Sequence, residues 1–412
     1  MVTDLPRLLI ASEVTFSQSG MAGMGAGRTL SNLFDSYPAE QLMLFSPENF
    51  LKSQPTAPPF NQQVVAFPGA YFPTITNRTG KFINPLITAV NLQLFDWLPI
   101  PNSKKLEAFA PEVILVCPIT SLSLLMGYKL TQHFQCPSLI YFMDDWLTTV
   151  NLWWLSGNVQ AVGYQLLKEA AGWLMISKQL EADLSHRYHL VPQHSLIVHN
   201  PVDLSEKKLP DEVTPHEGTF RVAYAGSIWP MHYDALAAVA EAIFELIQEG
   251  KDIELILYTD QYFWNSYKDN WENWQVVYGS LIHYQELDYY LKQADLLLVA
   301  TSFLPENAHI VRSSVLTKLT DYMAAGKPIL SCGPDYSACN HFIKEWNCGL
   351  VCESNEVIEI KKCLLNTLQN KSLLYPLAQK AFHVVQDNFE KSNVSFSLYQ
   401  FVKKIPQIGK SS

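Results

Sequence analysis

The chain has 412 residues, 48% hydrophobic and 17% charged, which is enough apolar material for two cores and leaves little for long disordered tails. Its formal net charge of −10 argues against a nucleic-acid binder, which needs a basic surface. Residues 1–200 hold 11 Lys and Arg against 13 Asp and Glu, and residues 201–412 hold 18 against 26, so the second half carries most of the acid.

Continuous Val-, Ile- and Leu-rich runs alternate with helical patterns along the whole chain. The first half gives RLLIAS (7–12), QLMLFS (41–46), VVAFP (64–68), VILVCP (113–118), SLIYFM (138–143), GWLMIS (172–177) and SLIVHN (195–200). Runs that do not alternate suit parallel strands covered on both faces, and the helical stretches between them imply βαβ crossovers. The segment 201–219 is polar and has three prolines, so it reads as a linker. The pattern then restarts with FRVAYAGS (220–227), IELILYT (253–259), WQVVYG (274–279), DLLLVAT (295–301), PILSCG (328–333) and GLVCE (349–353). An α/β fold of two doubly wound domains follows. The expected boundaries are 1–204 and 205–384, with a closing helix at 385–412 able to complete the first domain. Ligands of such domains sit at the carboxyl ends of the strands, so two facing domains would form a cleft.

LLIAS is too short for a signal peptide, and no apolar run reaches the roughly 20 residues that cross a bilayer. The seven cysteines form no Cys-x-x-Cys pair and sit mostly in apolar runs, as buried thiols of a reducing compartment do. No zinc-ligand grouping is evident.

Several stretches carry chemistry. SGMAGMGAGR (19–28) follows the first strand and opens a helix. Its glycines are off-register for the G-x-G-x-x-G of a dinucleotide site, because Leu30 stands where the last glycine should. Gly25 and Gly27 let backbone N–H groups approach a phosphate or sugar. Arg28 is a phosphate contact or an ordinary exposed helix arginine. Glu13 ends the first strand, placed to bind an acceptor or orient a loop amide. YFMDDW (141–146) puts Asp144 and Asp145 at a strand end. Their spacing is wrong for a metal pair, so one serves as acceptor contact or base, or else the pair caps the next helix. INPLITAVNLQLFDWL (83–98) is an amphipathic helix that fits an interfacial role, but with few basic neighbours it fits core packing better. YFWNSYKDNWENW (262–274) either stacks on sugar rings or covers an edge of the second domain.

VLTKLTDYMAAGKPILSCG (315–333) is the strongest signal. A helix expected to start near Ser313–Leu316, capped by Ser313 or Ser314, carries Lys318 and Asp321. Its N-terminus favours a phosphate, and Asp321 is placed to accept from a ribose diol. An ordinary amphipathic helix ended by Gly326 is the plain alternative.

KLTDYMAAGKPIL resembles the K-L-x-E-Y-M-A-A-G-K-P-V stretch of retaining GT-B-fold glycosyltransferases, the mannosyl- and glucosyltransferase-like group (family 4-like). SGMAGMGAGR, HNPVD (199–203), AYAGSIW (223–229) and GSLIHYQELDYYLKQADLLLVAT (279–301) resemble other pieces of that family in the same order. The resemblance implies two Rossmann-like domains facing across a cleft, with a UDP- or GDP-linked sugar on the second domain and a glycan or lipid-linked acceptor on the first. It also implies no separate cofactor, no metal, no nucleic-acid partner, and a role in polysaccharide or glycoconjugate biosynthesis. The expected place is the cytoplasm, with a peripheral contact at the inner membrane face left open. Two departures stand out. Ser313 falls where the family often has a first glutamate, and GSIWPMHYDAL offers only His232 where basic residues are usual. The donor set is then Gly25, Gly27, Arg28, Gly226, Ser227, His309, Arg312, Ser314, Val315, Lys318 and Asp321, with His309 also readable as a solvated loop residue. Glu13, Asp144 and Asp145 remain as catalytic candidates. A nucleotide-sugar epimerase and a non-catalytic binder stay open as alternatives.

Overall fold

The computed structural model describes residues 4–13, 25–48, 63–75, 79–145, 153–209 and 218–408. The chain divides into two units. One contains Met24–Val198 with the opening strand and the closing stretch Ser395–Ser412, and the other contains His199–Val394.

The first unit is built on a seven-stranded parallel sheet: β1 (Leu8–Ser12), β2 (Leu42–Pro47), β3 (Gln63–Phe67), β4 (Val113–Cys117), β5 (Ser138–Phe142), β6 (Gly172–Met175) and β7 (Ser195–Ile197). The order is β3-β2-β1-β4-β5-β6-β7. β1 and β4 pair in register from Leu8↔Val113 to Ser12↔Cys117. Every residue of β1, β2, β4, β5 and β6 is buried, which is why these strands read as unbroken apolar runs. The helices are α1 (Gly25–Phe34), α2 (Gly80–Trp97), α3 (Ser103–Phe109), α4 (Ser121–Phe134), α5 (Trp153–Glu169) and α6 (Lys178–Tyr188).

Helix α2 departs from the core-packing expectation. Ala89, Leu92 and Phe95 are buried, but Phe82 is 86% exposed and Trp97 74%, with Leu86 and Val90 exposed between them. One side of the helix meets the sheet and the other is left apolar and uncovered. The Lys129 ammonium of α4 closes its end by donating to the carbonyls of Phe95, Asp96 and Leu98 at 2.7, 2.8 and 2.6 Å.

The second unit has six parallel strands: β8 (Phe220–Ala225), β9 (Ile253–Tyr258), β10 (Val277–Tyr278), β11 (Leu296–Ala300), β12 (Ile329–Cys332) and β13 (Leu350–Cys352). Their order is β10-β9-β8-β11-β12-β13. The helices are α7 (Pro230–Gln248), α8 (Gln261–Ser266), α9 (Lys268–Asn273), α10 (Tyr284–Lys292), α11 (Ala308–Ser313), α12 (Thr317–Ala324), α13 (Ala338–Trp346), α14 (Val357–Gln369) and α15 (Leu374–Asn388). One apolar cluster gathers residues of α7, α8, α9 and α14 on the sheet, and a separate one gathers α10, α12, α13 and α15. The sheet is therefore covered on both faces.

The last helix, α16 (Lys391–Ile408), ends in the first unit. There Ser395 Oγ and Tyr399 OH both donate to the Leu33 carbonyl at the end of α1, at 3.3 and 2.9 Å. A carbonyl with no partner inside its own helix is thereby satisfied.

In each sheet the strand order reverses at one place, between β1 and β4 and between β8 and β11. Loops leaving neighbouring strands on opposite sides open a crevice there, which is where ligands bind in this kind of sheet.

Candidate functional site

At the reversal of the first sheet, Glu13 leaves the end of β1 and is nearly fully buried. Its carboxylate accepts from the hydroxyls of Thr120 and Ser123, the latter at 3.0 Å. Thr120 is the N-cap of α4, accepting from Leu122 N at 3.1 Å, and Ser123 Oγ accepts in return from Thr120 N at 3.2 Å. Glu13 thus buttresses a helix N-terminus. Burial pushes its carboxyl pKa up, and the two hydroxyls pull it part of the way back.

Asp144 and Asp145 diverge after β5. Asp144 is exposed. Asp145 is 2% exposed, and both of its oxygens meet the Arg187 guanidinium of α6, with Nη1 to Oδ1 at 2.9 Å. The fork-to-fork pair ties α6 to the end of β5. Breaking it strands a buried carboxylate, so Arg187→Ala is expected to cost about 3 kcal/mol of stability. Urea unfolding of the variant checks this, and adding Asp145→Asn should recover part of the loss.

Of the glycine stretch, residues 19–24 lie outside the described residues. Gly25, Gly27 and Arg28 form the first turn of α1, with Gly27 buried and Arg28 half-buried.

The second sheet's reversal places more of the predicted residues together. β8 is followed by Gly226, at φ +132°, a conformation side-chain-bearing residues rarely adopt. Gly226 N donates to the Tyr258 carbonyl at 2.9 Å, and the Ser227 carbonyl accepts from Tyr224 OH at 2.7 Å. Helix α12 is pinned to this strand end by Tyr322, whose hydroxyl oxygen accepts from Ala225 N at 2.8 Å. That fixes Lys318 and Asp321, which stand three apart on one helix face. The Lys318 ammonium lies over the Tyr224 ring, 3.6 Å from its centroid. A methyl group on Gly226 would come within 3.2 Å of that nitrogen. Asp321 is 2% exposed.

The start of this helix differs from the sequence expectation. Residues 308–313 form their own helix, α11, so His309 and Arg312 are helical and not in a loop. Ser313 does not cap α12; its hydroxyl bonds back to the His309 carbonyl at 3.1 Å, a local competition open to any serine. Ser314 closes α11 in extended conformation, and Leu316 is the N-cap of α12, with no side-chain oxygen to give. Ser314 and Val315 are buried in the link between the helices, and Leu316 N lies 3.5 Å from Cys339 Sγ on α13. His309 is half-buried, whereas Arg312 is exposed with its guanidinium 5.5 Å from the Tyr336 ring centroid.

His232 is not the missing base. It is buried on α7, with Nδ1 3.0 Å from the Ala300 carbonyl. Burial, helped by the nearby Lys318 charge, lowers its pKa from 6.5 to about 3. It is neutral near pH 7 and brings no charge to a phosphate. The unfolded chain takes up this proton below pH 6.5 and the folded chain does not, so stability is full above pH 6.5 and falls as the pH drops toward 3. Between pH 6 and pH 5 the loss from this group is about 1 kcal/mol. Urea unfolding at both pH values should show that extra loss in the wild type and not in His232→Gln.

Sequence reasoning missed Thr120, Ser123 and Arg187, which act through partners far along the chain. Tyr224 and Tyr322 lie inside the quoted stretches 223–229 and 315–333, but their roles, through Lys318 and Ala225, depend on distant partners.

Residues 219–370 match the family model Glycosyl transferases group 1. No curated protein matches the chain. Among solved structures, the chain is similar to sucrose-phosphate synthase from Thermosynechococcus elongatus, with 15% identity, a TM-score of 0.70, and 98% of this chain and 100% of that one covered. It is similar to Anabaena HepE in complex with UDP, with 12% identity, a TM-score of 0.67, and 96% and 99% covered. It is also similar to WaaG, a glycosyltransferase involved in lipopolysaccharide biosynthesis, with 12% identity, a TM-score of 0.61, and 96% and 99% covered. At these identities the likeness is one of fold. The chain has the GT-B fold, and residues 219–370 of its second unit match the glycosyl transferases group 1 model.

Proposed function

We propose that the chain moves a sugar from a nucleotide-sugar donor to a hydroxyl-bearing acceptor, with the donor held at the carboxyl edge of β8 and β11. The observation that carries this reading is the Lys318–Asp321 face of α12, pinned by Tyr322 to the end of β8 inside residues 219–370. Lys318 and the backbone around Ser314, Val315, Gly226 and Ser227 hold the diphosphate, and Asp321 holds the ribose. His309 and Arg312 attend the transferred sugar and its phosphates. In the first unit Asp144 is the exposed carboxylate for an acceptor hydroxyl, and Glu13, with its raised pKa, is the buried one. Gly25, Gly27 and Arg28 serve phosphate or sugar at the start of α1.

No side-chain nucleophile is assigned. The departing phosphate takes the acceptor proton while cationic and N–H groups stabilise its charge, and the anomeric configuration is kept. The donor is UDP- or GDP-linked, and the reaction belongs to polysaccharide or glycoconjugate assembly in the cytoplasm. Incubation with UDP-, GDP- and dTDP-sugars tests the reading. Transfer or donor hydrolysis supports it, interconversion of the sugars points to an epimerase, and binding without turnover points to a binder.

The uncovered side of α2 supports a peripheral membrane contact in this scheme. Phe82, Leu86, Val90 and Trp97 would dip into the interface, and the exposed Lys104 and Lys105 lie on α3, the next helix in the chain. Co-sedimentation with anionic vesicles should fall at least fivefold in Phe82→Ser with Trp97→Ser, an effect of losing about 1 kcal/mol or more of buried apolar surface.

A further inference from the structure

The aromatic run 262–274 divides sharply. Trp264 and Trp271 are buried under α7, and Tyr267 stacks on Tyr233 with ring centroids 3.7 Å apart. Tyr262 turns outward and is 72% exposed, and Trp229, in the loop leaving β8, is 51% exposed. The two rings share one support. Phe263 meets Trp229 edge-to-face at 4.9 Å and Tyr262 at 5.4 Å. Trp229 is the N-cap of α7, and Tyr262 N donates to the Asp260 carboxylate at 2.8 Å, so both rings stand on fixed backbone. The loop after β11 borders them, with Asn307 Nδ2 donating to the Pro230 carbonyl at 3.4 Å.

Two large neighbouring rings on fixed backbone, each leaving half or more of its surface in water, mark a recognition surface. The charged residues of the three bordering segments (227–234, 260–266 and 302–307) are Asp234, Asp260 and Glu306, all acidic. Such a border repels phosphodiesters and anionic lipid headgroups. It suits a ligand with flat apolar C–H faces and a rim of neutral hydroxyls, because the rings cover the faces while carboxylates and amides accept from the rim.

We propose that Trp229 and Tyr262 form a stacking platform for the pyranose rings of a neutral glycan. The platform lies at the carboxyl ends of β8 and β9, beside the proposed nucleotide position, and its helices α7 and α8 belong to a different apolar cluster from the one that holds α12. It deepens the transferase reading by naming the glycan chemistry that the same unit engages beside the donor.

The test is retention of the full chain on an array of neutral oligosaccharides (α- and β-linked glucans, mannans and galactans), alongside the melting-temperature rise caused by UDP and GDP. Wild type is expected to be retained, and Trp229→Ala with Tyr262→Ala to lose about tenfold or more in affinity. Trp229→Phe with Tyr262→Phe should keep most of it, and the nucleotide response should be unchanged in all three proteins. Failure of wild type to be retained by any neutral glycan, equal retention by the alanine variant, or ring-dependent binding to phosphatidylglycerol vesicles instead would overturn the platform. Absence of any nucleotide response in the wild type would count against the transferase reading alone.

Discussion

Replacing Asp321 by Ala is expected to weaken binding of the donor nucleotide by about a thousandfold. A ribose diol offers two O–H donors to one carboxylate. Hydrogen bonds to a charged acceptor are each worth about 2 kcal/mol, and two of them amount to roughly three decades in affinity. The helix turn that carries Asp321 is fixed by the neighbouring Tyr322 bond to Ala225, and Asp321 itself is buried, so little ordering is left to do when the ligand arrives. Asp321→Asn keeps the shape and loses the charge, so it should fall between wild type and Ala. Calorimetry with UDP and with GDP reads the effect directly, and a melting curve without nucleotide controls for damage to the fold. Unchanged affinity in a folded Asp321→Ala protein would remove the ribose assignment.

The parallel sheets were legible because burial on both faces leaves strands nothing to alternate. Each of the thirteen apolar runs coincides with a strand to within a residue or two at its ends or holds one inside it, from Leu8–Ser12 to Leu350–Cys352. Helix boundaries were less legible. The Ser313 hydroxyl turns back to His309, and that choice is not visible in a periodic pattern, so the expected helix starts later, at Thr317, and a short helix not foreseen precedes it. Long-range partners were not legible at all. Asp145 and Arg187 stand 42 positions apart, and Glu13 and Thr120 107 apart. An Asp-Asp pair at a strand end reads as chemistry, yet one of the two is spent on an ion pair. Amphipathicity had a related blind spot. The spacing of α2 shows that an apolar side exists, but Phe82 and Trp97 lie beyond the part that the sheet covers. His232 shows the converse, since a histidine in a loop-like sequence became a neutral core residue once α7 buried it.

The second large effect is expected at Lys318. In Lys318→Met the chain length and the apolar contact with the Tyr224 ring survive, and the charge alone is lost. If this ammonium stabilises the departing diphosphate, kcat should fall by roughly a hundred- to a thousandfold, the scale seen when one preorganised donor is removed from a developing anion. Affinity for the free nucleotide should fall less, because the charge on the leaving phosphate grows during the reaction. Arginine is not expected to rescue the loss. The ammonium sits 3.6 Å above the Tyr224 ring and within 3.2 Å of where a Gly226 side chain would begin, which is too close for a planar guanidinium to take the same place. The same geometry gives an independent check through Gly226→Ala. Its added methyl strains a φ of +132° and crowds the Lys318 nitrogen, so it should lower kcat while leaving the Asp321 contribution to nucleotide affinity in place. Equal losses of kcat and affinity in both variants would mean that Lys318 holds the ground state only, and the search for the group that stabilises the leaving phosphate would move to Arg312.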